Sequence, residues 1–164
     1  PSAHLLDDDV PSTCDLYALG GGEDSAQLIA AARLSASPGL QSAAADGRPW
    51  PRIVGPALDG TNGTEAIPAS ADSEFFHGDD DWDHAVGPMQ LIPSTWRTWG
   101  ADGDGDGRAD PNDIDDAALA TARYLCADGR DLSTDSGWTD AVFSYNHSDD
   151  YVALVSRRAR AMTR

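Results

Sequence analysis

The sequence predicts a mainly α-helical domain with one long irregular loop, and two observations carry that reading. From Val86 to the C-terminus apolar residues recur at helical spacing, and no stretch alternates apolar and polar residues as a strand would. Between residues 40 and 85 no period is sustained, and Pro49, Pro51, Pro56 and Pro68 stand among many glycines. At 164 residues, with 40% hydrophobic and 24% charged positions, the chain suits one domain around a single buried core.

Residues 1–22 run from the acidic Asp7-Asp8-Asp9 to Gly20-Gly21-Gly22 and read as an N-terminal strap; residues 23–164 read as the domain. Asp24 or Ser25 can cap a first helix whose apolar side is Leu28, Ile29, Ala32 and Leu34, before Pro38-Gly39 stops it. In the loop that follows, Ile53-Val54 and Phe75-Phe76 are expected to pin the chain to the body. Asp79-Asp80-Asp81 is expected to form a solvated turn. Pro93 and Ser94 open a short helix that carries Trp96 and Trp99 and closes at Gly100, one tryptophan being expected in the core. Further helices are expected over 115–127, 138–146 and 149–162. The last of these holds Arg157, Arg158 and Arg160 near its C-terminus, where cations suit the helix dipole.

Eleven basic residues against 28 acidic ones give a net charge of −17. Such a surface repels phosphate backbones and anionic lipid, so nucleic acid and membrane surfaces are excluded as main partners. No apolar run approaches the ~20 residues that a membrane span requires. No signal peptide stands at Pro1, and the chain is expected to begin after a removed segment or within a longer protein. A monomer is expected. Cys14 and Cys126 are too far apart for a short metal-binding pair. They suit a long-range disulfide of an extracellular protein, the alternative being two buried thiols.

Seven aspartates crowd between Asp102 and Asp116. Asp102, Asp104, Asp106, Gly107, Arg108, Asp110 and Asp113 follow the twelve-position calcium loop: carboxylates at one, three, five, nine and twelve, the turn glycine at six and a backbone carbonyl at seven. Five clustered carboxylates repel one another unless a cation neutralises them. Position twelve is an aspartate where sensor loops usually carry glutamate, and a single loop suits a structural Ca2+ better than a switch. Without metal the same stretch is an acidic Asp-Gly turn.

Val86-Gly-Pro-Met-Gln-Leu-Ile-Pro-Ser-Thr-Trp96 resembles a segment of the MltB-like lytic transglycosylases, a lysozyme-like family acting on bacterial peptidoglycan. Four further stretches agree in order: Ile53 to Gly60, the acidic loop 102–113, Ala122 to Cys126, and Ala141 to Ser148. The resemblance covers roughly residues 24–158. It implies a lysozyme-like fold, a secreted or cell-surface location in a bacterium, and peptidoglycan glycan strands as the partner. It further implies that Met89 and Gln90 line the cleft, with Tyr145 and Asn146 orienting the sugar and the acid.

The family cleaves its glycan with one glutamate that serves first as acid and then as base, closing a 1,6-anhydro ring. At the matching stretch, Ala32 to Gly39, Ser35 stands in that glutamate's place, and Ala36 and Pro38 also depart. A serine hydroxyl has no accessible titration near neutral pH. The expectation is a degenerate domain that still recognises glycan. One alternative is an active transglycosylase with a relocated carboxylate from Glu65, Glu74 or Asp72, since Glu23 lies ~18 Å along the helix from Ser35. The other is a calcium-stabilised extracellular protein-interaction module. His147 is expected at the surface, and His4, His77 and His84 have no metal-ligand spacing.

Overall fold

The structure is a computed structural model and describes residues 47–162. The expected N-terminal strap, first helix and acid position Ser35 lie outside the described residues. The described residues fall in two compact units, one of residues 47–121 and one of residues 122–162.

The described part of the first unit begins with a two-stranded antiparallel sheet. Strand β1, Val54–Ala57, pairs with β2, His84–Val86, in the register Val54 to Val86 and Ala57 to His84. Three steps on β1 thus face two on β2, which puts a bulge at Gly55 and Pro56. Isolated bridges from Asp59 to Ala66 and from Pro68 to Trp82 order the intervening chain, with one helical turn, α1, at Ser73–Phe76. The expectation of a stretch without strands is corrected here. Strands of four and three residues, one containing a proline, are too short to display a two-residue period.

Helix α2, Pro93–Trp99, starts on its proline and ends at Gly100, as the sequence predicts. Trp96 is its core tryptophan: a Cβ on Gly100 would stand 2.9 Å from the indole ring. Trp96 joins Val86, Leu91, Ala101, Ile114, Ala117 and Ala120 among the buried apolar residues. Of the expected pins, Ile53 and Phe76 are half-buried, whereas Val54 and Phe75 are exposed.

Helix α3, Ile114–Leu125, runs from the first unit into the second. It stops before the expected Ala127 because a 3-10 turn follows, with Asp128 in the left-handed region at φ 60°. In the second unit Thr134 caps α4, Asp135–Tyr145, by accepting the Gly137 N–H at 3.1 Å, so the helix starts ahead of Trp138. Helix α5, Asp149–Met162, packs on α4, and the Trp138 indole N–H donates to Ser156 Oγ at 2.9 Å. The architecture of the described residues is helix-rich, with five α-helices and one small sheet, consistent with a mainly α, lysozyme-like fold. No described helix is long and apolar enough to cross a membrane.

Candidate functional site

Four features were singled out by sequence, and each lies within one unit. The first is the turn joining β2 to α2. Val86 and Leu91 exchange both backbone hydrogen bonds, at 2.9 and 3.2 Å, which closes the chain between them into a tight loop. Gly87 sits at φ 72°, and a Cβ there would overlap the Pro111 carbonyl oxygen, so only glycine fits. Met89 is half-buried. Gln90, also left-handed at φ 51°, folds its amide back to donate to the Gly87 carbonyl at 3.0 Å and the Ala85 carbonyl at 3.4 Å. Its Oε1 would lie 2.8 Å from a Cβ at position 55, which makes Gly55 the floor on which Gln90 rests.

The second feature is the acidic loop. Asp102 accepts the Gly105 and Gly107 N–H groups, Asp104 that of Asp106, and Asp106 that of Arg108, so successive carboxylates fold the backbone back on itself. Asp110 and Asp113 make further contacts of their own. Asp113 Oδ1 caps α3, accepting the N–H of Asp115 at 2.9 Å and of Asp116 at 3.5 Å. Its Oδ2 is buried without a hydrogen-bond partner, 3.9 Å from Arg48. Arg48 also pairs with Asp106 and Asp110, each at 3.3 Å.

The residue that joins Asp102 and Asp104 is Asp116: one carboxylate oxygen from each falls within 4.8 Å of the others. Asp116 is buried and accepts the N–H of Gly103 at 2.6 Å and of Asp110 at 2.8 Å. Burial pushes its carboxyl above the usual range, against those two N–H donors, and the nearby Asp113 and Asp104 push the same way. Counting loop positions stops at twelve, so Asp116, three residues further into the helix, was missed.

The third feature is the carboxylates weighed as relocated acids. Glu65 and Glu74 are exposed, so neither is enclosed by apolar surroundings. Asp72 is held by Arg97 at 2.6 Å.

In the second unit Tyr145 ends α4 and stacks on Tyr151, with ring centres 6.2 Å apart, while Tyr124 meets it edge-on at 6.1 Å. Burial, followed by the two neighbouring phenols, raises the Tyr145 hydroxyl pKa well beyond its ordinary value. Tyr124 Oη donates to the Ser144 carbonyl at 2.6 Å, which anchors the cluster to α4. Asn146 is the exposed C-cap residue, and exposed His147 lies edge-on to Phe143. Tyr151 had no signal in the sequence beyond its place in the first turn of α5. Buried Cys126 is not a free thiol, and Cys14 lies outside the described residues.

One cluster was not foreseen. Asp83, buried at 1% exposure, accepts from Ser73 Oγ at 2.5 Å and meets His77 Nε2 at 3.0 Å. His84 contacts Asp79 at 3.0 Å, and Asp79 also accepts the backbone N–H of Asp81 and Trp82. Asp79 therefore belongs to an ordered network, not merely a solvated turn. No period marks these residues, because their side-chain partners lie five to ten positions away along an irregular stretch.

No curated relative and no solved structure matches the chain significantly. A family model does match, over residues 81–142, a span holding the Gly87–Gln90 turn, α2, the acidic loop, α3 and most of α4. That family is described as the transglycosylase SLT domain, the group to which the Val86–Trp96 motif pointed, and the match covers this segment of the chain.

Proposed function

We propose that this chain recognises peptidoglycan glycan strands through an SLT-type domain that has lost cleavage. The observation that carries the reading is the Gly87–Gln90 turn, because its two left-handed residues and the bare Gly55 floor fix one side-chain amide in place. A pre-positioned amide suits sugar hydroxyls and N-acetyl groups, since no ordering of the side chain is left to binding. Tyr145 and Asn146 of the second unit are assigned to glycan by the family resemblance alone. Ser35 in the acid's place removes the proton donor, and exposed Glu65 and Glu74 offer no substitute. A peptidoglycan-acting domain belongs in the periplasm or at the cell surface, consistent with a Cys126 that is not a free thiol.

Incubation with purified sacculi tests both halves. The expected outcome is sedimentation with the insoluble wall and no anhydro-muropeptide release. General acid catalysis contributes ~10²–10⁴-fold, and one group acting as acid and base places its loss near the upper end. Cleavage that disappears in Glu65→Gln or Glu74→Gln would establish a relocated acid. Neither binding nor cleavage would leave a protein-interaction module.

The acidic loop is proposed to hold a structural Ca2+, with Asp102, Asp104 and Asp116 as its carboxylate core and the Asp106, Arg108 and Asp110 segment closing over it. The fit rests on Asp116: a buried carboxylate whose charge is disfavoured by burial and by its acidic neighbours is relieved by a cation. The ion would supply charge neutralisation that stiffens the loop, and its test is the calcium dependence of the melting temperature.

A further inference from the structure

We propose that His84, held as an imidazolium between Asp79 and the Gly55 carbonyl, is the positioning residue that sets the Gln90 amide. The inference deepens the glycan-binding reading above and rests on it for its functional meaning. Its geometry belongs wholly to the first unit.

Both nitrogens of His84 face acceptors. Nδ1 lies 2.7 Å from the Gly55 carbonyl, and Nε2 lies 3.0 Å from Asp79 Oδ2. A carbonyl accepts only, so Nδ1 carries a proton. Asp79 already accepts the Asp81 and Trp82 N–H groups at 2.8 and 3.0 Å, which favours its ionised form, so Nε2 carries a proton too. The neighbouring His77 ring, 4.6 Å away, has the opposite arrangement. Its Nδ1 accepts the Asp79 N–H at 3.2 Å, and its Nε2 faces buried Asp83 at 3.0 Å. At His77 Nδ1 is thus the acceptor, which leaves Nε2 as the nitrogen that can donate to Asp83. The groups facing His84 are Asp79 and Asp83 from the preceding loop, the His77 ring at the end of α1, and the Gly55 carbonyl of β1.

Gly55 connects the histidine to the turn. It lies in the β1 bulge, so the imidazolium fixes the carbonyl where the strand departs from regular pairing. The space that a Cβ on the same residue would need is taken by Gln90 Oε1. Loss of the Nδ1–H donor releases the Gly55 carbonyl directly, and loss of the Nε2–H donor frees the ring from Asp79 so that it no longer holds that carbonyl in place.

The pH direction follows. Burial opposes the charge on His84, but Asp79 and the Gly55 carbonyl outweigh it, and the pKa lies above the ordinary histidine value. The Asp79 carboxyl, bonded first to His84 and then to the Trp82 and Asp81 N–H groups, is held down to about 2. A raised histidine stabilises the fold fully below its unfolded pKa, and the contribution is lost as pH rises through the folded value. A lowered aspartate stabilises above its unfolded pKa and loses the contribution as pH falls towards about 2. The clamp therefore holds below the raised His84 pKa and opens as pH climbs through it.

Nitrogen-15 NMR of the whole chain tests this without glycan. Both His84 ring nitrogens should be protonated at pH 6.5. The Gln90 side-chain amide signals should shift along the His84 titration. In Asp79→Asn the His84 midpoint should fall and the Gln90 titration should move with it. In folded His84→Gln the pH-dependent Gln90 shift should vanish. Wall sedimentation should weaken several-fold above the His84 midpoint. Gln90 signals that ignore the His84 titration overturn the proposal, whatever the chain binds. Coupled signals in a chain that binds no wall at any pH keep the clamp and refute the glycan reading.

Discussion

Asp113 and Asp116 share one turn of α3, yet their carboxylates have different work. Asp113 closes the helix start, bonding two orphan N–H groups with one oxygen. Asp116 turns under the acidic loop and meets Asp102 and Asp104. Substitution separates the roles. At free calcium 100 times its dissociation constant the ion stabilises by ~2.7 kcal/mol, about 5–10 °C in melting temperature for a chain of this size. Chelator should remove that increment in the wild type, and Asp104→Ala and Asp116→Asn should show no response to calcium. Asp113→Ala should lose ~1 kcal/mol of capping equally with and without the ion. An Asp113→Ala chain blind to calcium would restore the twelve-position ligand set, and a wild-type melting curve indifferent to chelator would remove the metal altogether. The sequence displayed five of these aspartates in register; Asp116 was illegible because its helix, not its spacing, brings it back to the loop.

At the scale of elements, helices were legible and strands were not. Pro93, Gly100 and the apolar spacing of α2 mark its ends from sequence, and α5 spans its expected residues. The termini of α3 and α4 shift because a left-handed Asp128 and a Thr134 cap decide them locally. The turn between β2 and α2 shows how much one backbone position can carry. Gly63 and Gly87 both lie at positive φ, at 82° and 72°, but nothing stands within 4 Å of a Cβ at Gly63. Gly63→Ala should therefore cost only the left-handed strain, about 1–2 kcal/mol. Gly87→Ala adds a collision with backbone and should exceed it by at least ~2 kcal/mol, read as the difference between two denaturation midpoints. Equal costs would mean that the turn yields freely.

For the whole molecule, the sequence placed a helical domain with a turn, an acidic loop and a tyrosine-asparagine pair. The histidine–aspartate network escaped it because contacts five to ten residues apart along an irregular stretch obey no period. The proposed disulfide from Cys14 to Cys126 belongs to this scale, since it would tie the chain's N-terminal region to the end of α3. Alkylation without reductant should add no label to the intact mass, whereas two labels would refute the pairing and weaken the extracellular assignment. Its closed loop would stabilise by ~4–5 kcal/mol on chain-entropy grounds.

The contact between Gly87 and Pro111 bears on how such a chain can evolve. The acidic loop ends with its backbone pressed into the space that a side chain at position 87 would need. An insertion or deletion near Pro111 would move that carbonyl and unseat the turn, even if every carboxylate were kept. The length of one segment and the identity of one glycine, 24 positions apart, are therefore a single inherited character. A lineage that shortened the loop would be free to replace the glycine, and one that kept the loop would not.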